Sequence, residues 1–207
     1  MTGSSAGKPQ IGVLAIQGDS EAHSTAFAQI GVTTCPVKTR GDLAEISALV
    51  LPGGESTAML RLLRRDSFDL ALRDFIRTHP VFATCAGCIL LASEVLHPQQ
   101  ESFAALDITV ERNAYGRQNE SAILPVETTL PGETVDGQAP SAAALEAVFI
   151  RAPRIVRTGP AVEILATREG FPVLVRQGQI LAATFHPELS ADRRVHHLFL
   201  QMVATQS

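Results

Sequence analysis

At 207 residues, with 45% hydrophobic and 18% charged side chains, the chain is long enough to bury a sizeable core and too apolar to be disordered. A formal net charge of −4, with Lys8 and Lys38 the only lysines and fifteen scattered arginines, leaves no basic stripe for nucleic-acid phosphates, and no apolar run is long enough to cross a bilayer. Three cysteines, Cys35, Cys85 and Cys88, make an odd count that suits a reducing cytoplasm better than a disulfide scaffold.

Met1 to Gln10 is rich in Gly and Ser, carries one lysine and lacks an apolar signal core. A floppy leader is expected over 1–10, followed by a single domain over 11–205. Ile11 to Ile16 predicts a short buried strand stopped by Gln17-Gly18-Asp19, and Ser20 to Ile30 a helix. Val32 to Val37 and Ala48 to Leu51 predict two more strands, the latter ended by Pro52-Gly53-Gly54-Glu55-Ser56, with Ser56 as helix N-cap ahead of Met59, Leu62 and Leu63. Arg61, Arg64 and Arg65 read as a solvated helix face, with a partner-docking face as the alternative. Phe68, Leu72, Phe75 and Ile76 have helical spacing, Val81 to Thr84 predicts a fourth strand, and Ala86 to Leu96 a buried helix apolar on most faces.

Strands alternating with helices imply a parallel sheet covered on both sides, with functional loops at the carboxyl ends of its strands. Gln17-Gly18, Gly53-Gly54-Glu55 and Cys85 all fall at such ends, which suggests one shared pocket. Beyond residue 105 the pattern changes. Ile108 to Val110, Ala122 to Val126, Val148 to Ile150, Val162 to Ala166, Pro172 to Val175 and Gln179 to Phe185 are short strand candidates, several of them antiparallel, and Thr129 to Ala144 reads as a surface loop. Val195, Leu198, Phe199 and Met202 close the chain as an amphipathic helix.

Two turns carry the chemistry. Val81-Phe82-Ala83-Thr84-Cys85-Ala86-Gly87 runs from strand to helix through a cysteine flanked by small residues, and Thr184-Phe185-His186-Pro187-Glu188 ends a strand in a His-Pro-Glu turn. Together they supply a nucleophile, a base and a carboxylate able to fix the base's tautomer, the minimum set for acyl transfer through a thioester. The N–H of Ala86 is a natural oxyanion donor; Gly53-Gly54 is either a second one or an ordinary turn. His23, His79, His97, His196 and His197 lie on helices or helix-end loops and are less well placed than His186. Cys85-Ala-Gly-Cys88 also admits a thioredoxin-like redox pair, which leaves His186-Pro-Glu188 unexplained, or a zinc site like that of nucleotide deaminases, whose His-x-Glu and Pro-Cys-x-x-Cys come in the opposite order and with a proline absent here; Cys88 is expected as a small core residue.

Six segments carry a resemblance that spans nearly the whole chain: Ile11-Gly-Val-Leu-Ala-Ile-Gln-Gly18, Leu51-Pro-Gly-Gly-Glu-Ser-Thr57, Thr84-Cys-Ala-Gly87, Val110-Glu-Arg-Asn-Ala-Tyr-Gly-Arg-Gln118, Phe149-Ile-Arg-Ala-Pro153 and Thr184-Phe-His-Pro-Glu-Leu189. The chain resembles the glutaminase subunits of pyridoxal 5′-phosphate synthase, a branch of the class I (triad) glutamine amidotransferases. It departs from their usual pattern at Ala83 (Gly), at Ser190 (Thr) and in a longer loop over Thr129 to Ala147. The resemblance implies an α/β, three-layer, flavodoxin-like fold with a mostly parallel central sheet, helices on both faces and some antiparallel strands. It implies a triad of Cys85, His186 and Glu188, with Gly54, Glu55, Ser56, Arg112, Ile150 and Arg151 contacting L-glutamine. It also implies a hetero-oligomeric complex with a synthase subunit that consumes the ammonia in vitamin B6 biosynthesis. The sequence carries no cofactor fingerprint, and no metal, nucleic-acid or membrane partner is expected. Two alternatives are a glutaminase serving another amidotransferase and a non-catalytic sensor in which Cys85 meets oxidants.

Overall fold

A computed structural model describes residues 10–112, 122–132 and 144–205. Residues 1–9 of the expected leader and the Gly-Arg-Gln segment at 116–118 lie outside the described residues. The chain runs β1 (Ile11–Leu14), α1 (Ser20–Gln29), β2 (Thr34–Val37), β3 (Ala48–Leu51), α2 (Ser56–Leu63), α3 (Phe68–Thr78), β4 (Val81–Thr84), α4 (Ala86–Leu91) and β5 (Ala92–Leu96). It continues with β6 (Leu106–Glu111), β7 (Ala122–Thr128), β8 (Leu145–Phe149), β9 (Arg154–Thr158), β10 (Glu163–Arg168), β11 (Phe171–Gln177), β12 (Ile180–Ala183) and α5 (Arg194–Ala204).

The central sheet has nine strands in the order β2-β1-β3-β4-β12-β11-β10-β7-β8. The first five are parallel, and from β12 onward each neighbour is antiparallel. β1, β3, β4 and β12 are buried at every residue, as continuous apolar strands must be when both faces of a parallel sheet are covered. Side chains of α2, α3 and α4 pack one face, in a cluster shared with Leu106, Ile108 and Val110 of β6; Phe27 of α1 and Val195, Phe199 and Met202 of α5 pack the other. The expected three-layer α/β architecture is present.

Several expected elements are corrected. The helix predicted over Ala86 to Leu96 stops at Leu91, and Ala92–Leu96 turns into a strand that pairs parallel with β6. β9 lies outside the predicted strands; it pairs antiparallel with β6 and completes a separate three-stranded sheet, β5-β6-β9. The N-cap of α2 is Glu55 rather than Ser56: its carboxylate accepts from the N–H groups of Thr57 (3.1 Å) and Ala58 (2.7 Å). Ser56 is the first helical residue and its buried hydroxyl donates to Gln100 Oε1 instead (2.8 Å). The loop expected over Thr129 to Ala147 gives way by Leu145 to β8, which pairs antiparallel with β7; residues 133–143 of that loop lie outside the described residues. Arg61, Arg64 and Arg65 are exposed, with Arg64 paired to Glu101.

Candidate active site

Cys85 follows the last residue of β4, and His186 lies three residues beyond β12. The two strands are neighbours in the sheet, with Thr84 opposite Ala183, so one ladder brings together residues about a hundred positions apart. Cys85 N–H donates to Ala183 O across it (2.9 Å), and His186 N–H donates to Val148 O (2.8 Å), anchoring the second turn to β8. Cys85 adopts φ 47°, ψ −105°, a left-handed conformation that a non-glycine residue takes only under constraint. That kink turns the chain directly from β4 into α4. The crowding that demands small neighbours is explicit at Gly87, where a Cβ would stand 2.3 Å from Leu51 O.

His186 Nδ1 and Glu188 Oε1 are 2.7 Å apart, within a side-chain pair that is 10% and 0% exposed. A short charge-assisted contact of this kind fixes the ring with Nε2 directed away from the carboxylate. Burial works against protonating His186, but hydrogen bonds to Cys85 and Glu188 outweigh it and push its pKa up to about 10. Burial likewise opposes ionising Glu188, yet His23 and the His186 hydrogen bond hold its pKa below the ordinary carboxylate value. The expected proton inventory near neutrality is therefore an imidazolium between a carboxylate and a sulfur.

Gly53 lies beside this pair: a Cβ there would be 2.5 Å from His186 Cε1 and 3.4 Å from Cys85 Cβ. The glycine is required because the imidazole occupies the space. A cleft of about 450 Å³ opens over these groups, bordered by Gly54, Glu55, Ser56, Arg112, Ile150 and Arg151 as well as Cys85 and His186. Glu188 is buried behind His186, and Ala86, 1% exposed, is the first residue of α4, where a backbone N–H has no intrahelical acceptor. Arg112 extends into the cleft and donates to Glu55 Oε1 (3.1 Å) and Thr57 Oγ1 (3.2 Å). Cys85 Sγ lies 4.0 Å from Ile150 O. The residues expected to form the triad, the oxyanion hole and the glutamine site are thus in, or directly behind, one cleft.

The sequence places Gln17 at the pocket without giving it a role, and Arg193 and His23 belong to no motif. Gln17 Oε1 accepts from Glu55 N–H (2.9 Å) and ties the loop after β1 to the Gly53-Gly54-Glu55 turn. Arg193 braces the His-Pro-Glu turn, its Nη1 donating to Pro187 O (3.1 Å), while its Nε donates to Gln29 Oε1 of α1 (3.0 Å). His23, less well placed than His186 by its helical position, is fully buried with Nε2 3.5 Å from Glu188 Oε2. Its spacing from Ala26 and Phe27 at i+3 and i+4 marks it as inward-facing, a signal present in the sequence. Cys88 is a core residue as expected, its thiol pushed up to about 12 by burial, which disfavours a redox pair with Cys85. Among the described residues no group of three or more His, Cys, Asp or Glu side chains converges as a metal site.

A profile of the SNO glutamine amidotransferase family matches residues 13–205. The chain belongs to the SNO glutamine amidotransferase family. It is 54% identical over 194 residues to pyridoxal 5′-phosphate synthase subunit PdxT of Koribacter versatilis, covering 94% of this chain and 95% of that one. It is 51% identical over 195 residues to the protein of the same name from Thermotoga maritima, covering 94% and 99%. A crystal structure described as a glutamine amidotransferase superposes with a TM-score of 0.82 at 39% identity, over 94% of this chain and 98% of the other. A chain in the structure of PurLQS from Thermotoga maritima, 15% identical with a TM-score of 0.66 over 94% and 98%, shares the fold. The SNO assignment agrees with the family that the sequence resembles.

Proposed function

We propose that this SNO-family chain hydrolyses L-glutamine to L-glutamate and ammonia, and delivers the ammonia to a synthase subunit that builds pyridoxal 5′-phosphate. The observation that carries the chemistry is the Cys85–His186–Glu188 arrangement at the ends of two adjacent strands, open to a cleft bordered by Arg112. The observation that carries the pathway is half-identity over nearly full length to synthase subunits named PdxT.

In this mechanism the Cys85 thiolate attacks the side-chain amide carbon of glutamine, and the N–H groups of Gly54 and Ala86 receive the oxyanion. The C–N bond breaks as His186 gives its proton to the leaving nitrogen, releasing ammonia and leaving a glutamyl thioester. Water then gives a proton to His186 and its oxygen to the acyl carbon; glutamate leaves and the thiolate returns. Glu188 holds the imidazole and compensates its positive charge. Arg112 suits the substrate carboxylate, for which it would exchange its contact with Glu55, and the other cleft residues complete the glutamine site.

Ammonia released into neutral water is mostly protonated and loses its nucleophilicity, so the product is useful only if passed on directly. A hetero-oligomer with the synthase follows from that requirement. No helix among the described residues is long and apolar enough to cross a membrane, and action in the cytoplasm beside the synthase is part of the same proposal. The deciding experiment is glutamate release from L-glutamine by the wild type and by Cys85→Ala, each with and without the synthase partner. Release by the wild type, increased by the partner and abolished in C85A, is expected; undiminished release by C85A would remove the mechanism.

A further inference from the structure

The Glu188 carboxylate has two oxygens, and the mechanism uses one. Oε1 accepts from His186 at 2.7 Å; Oε2 is buried and makes no hydrogen bond of ordinary geometry among the described residues. A fully buried anionic oxygen left in that state is costly, so what faces it matters. What faces it is His23 Nε2, 3.5 Å away, with both side chains 0% exposed. The same nitrogen lies 3.1 Å from Thr84 Oγ1, next to the nucleophile in sequence.

We infer that His23 is a positioning residue for the reaction: from α1 it directs an imidazole N–H at the carboxylate that orients His186, sharing that N–H between Glu188 Oε2 and Thr84 Oγ1. This rests on the glutaminase reading above. The ring is placed for the task by its surroundings. It meets the Phe82 ring edge-on at 5.9 Å, and the ring of His196, from α5, lies 6.2 Å away. Nδ1 is buried and has no hydrogen-bond partner among the described residues. A proton on Nδ1 would therefore have no acceptor, whereas one on Nε2 has two, which assigns the tautomer. The charged or titratable groups facing His23 are Glu188 and His186 from the turn after β12, His196 from α5 and Asp19 at the start of α1; β4 contributes Thr84, which carries no charge. Burial outweighs the attraction of Glu188 and lowers the His23 pKa, so the ring stays a neutral donor.

A residue of pure packing and a positioning residue differ in what replaces them. His23→Phe keeps a ring against Phe82 and removes the donor; His23→Gln restores an N–H at about the reach of Nε2. In glutaminase assays of the full chain with the synthase partner, H23F is expected to lower kcat at least tenfold with KM for glutamine within twofold. The acid limb of kcat/KM should move to higher pH, because Glu188 loses a donor that favours its charged form. H23Q should recover most of kcat and the original acid limb. Wild-type kcat and pH profile in H23F, or equal loss in both variants with an unmoved acid limb, would overturn the inference while leaving the glutaminase reading intact; absence of glutamate release by the wild type would overturn both. ¹⁵N-histidine spectra of the wild-type chain provide a test that does not depend on the variants folding: His23 protonated at Nε2 alone supports the inference, and protonation at Nδ1 alone or at both nitrogens overturns it.

Discussion

The space around His186 is closed on one side by backbone. Gly53→Ala would put a methyl group 2.5 Å from its Cε1, so either the imidazole or the loop must move by about an ångström. Displacements of that size cost reaction rates on the order of 10²-fold. G53A is expected to keep its fold by circular dichroism and to lose about that much glutaminase kcat. Protonation of the same imidazole links activity to stability. Its pKa is about 10 in the folded chain against an ordinary value of 6.5. Below pH 6.5 both states hold the proton and the stabilisation is fully present; it is lost as pH rises from 6.5 to 10. Urea midpoints should fall across that window, and fall less steeply in C85A, which lacks a hydrogen bond that raises the value. Glu188 acts with the opposite sign: its depressed pKa stabilises above the ordinary carboxylate range and is lost on acidification. Glu188→Gln should therefore flatten the acid side of the same curve.

α4 tests two opposed effects. In an exposed helix, Gly→Ala stabilises by about 0.5–1 kcal/mol. Gly87 is buried beneath the Leu51 carbonyl, which a Cβ would approach to 2.3 Å, and overpacking of this kind costs about 1–3 kcal/mol. Gly87→Ala should thus be net destabilising in urea unfolding, by about 1 kcal/mol or more. The short span of α4 also shows where sequence patterning stops. Ile89, Leu90, Leu91 and Ala92 are apolar in succession and carry no period, so nothing local marks the change from helix to strand; the change is set by pairing with β6, whose partner residues come later in the chain. β9 is hard to see in the sequence because it alternates poorly: Ile155 is its one fully buried residue, between partly exposed Arg154 and exposed Val156 and Arg157. By contrast β1, β3, β4 and the His-Pro-Glu turn are legible, since buried parallel strands are continuous apolar runs and their carboxyl ends collect Gly, Cys and His. The residues of the cleft are legible by type and motif. Gln17 is legible by its place at a strand end and His23 by its inward-facing spacing, but what they contact, like the part played by Arg193, is not, because it depends on which segments lie beside them.

At the scale of the whole molecule, α1 and α5 cover the sheet face beneath the two turns. Phe199 of α5 is fully buried against Phe27 and Phe82, and Phe199→Ala should cost about 3–5 kcal/mol, read as a lower thermal midpoint. Direct hand-over of ammonia makes a second prediction for the assembly. With glutamine labelled at the amide nitrogen and excess unlabelled ammonium in solution, the product made in the complex should carry mostly the label; dilution to the bulk ratio would show that ammonia escapes first.

The distance between sulfur and imidazole is set by the β4–β12 ladder and not by the intervening polypeptide. A slip of two residues along that ladder would slide one turn past the other by nearly 7 Å, whereas a change of length in a connecting loop that keeps β6, β8 and β11 in place leaves the register untouched. Insertions and deletions confined to such loops are therefore the changes this architecture tolerates most readily, and a new partner surface could be grown there without retuning the chemistry.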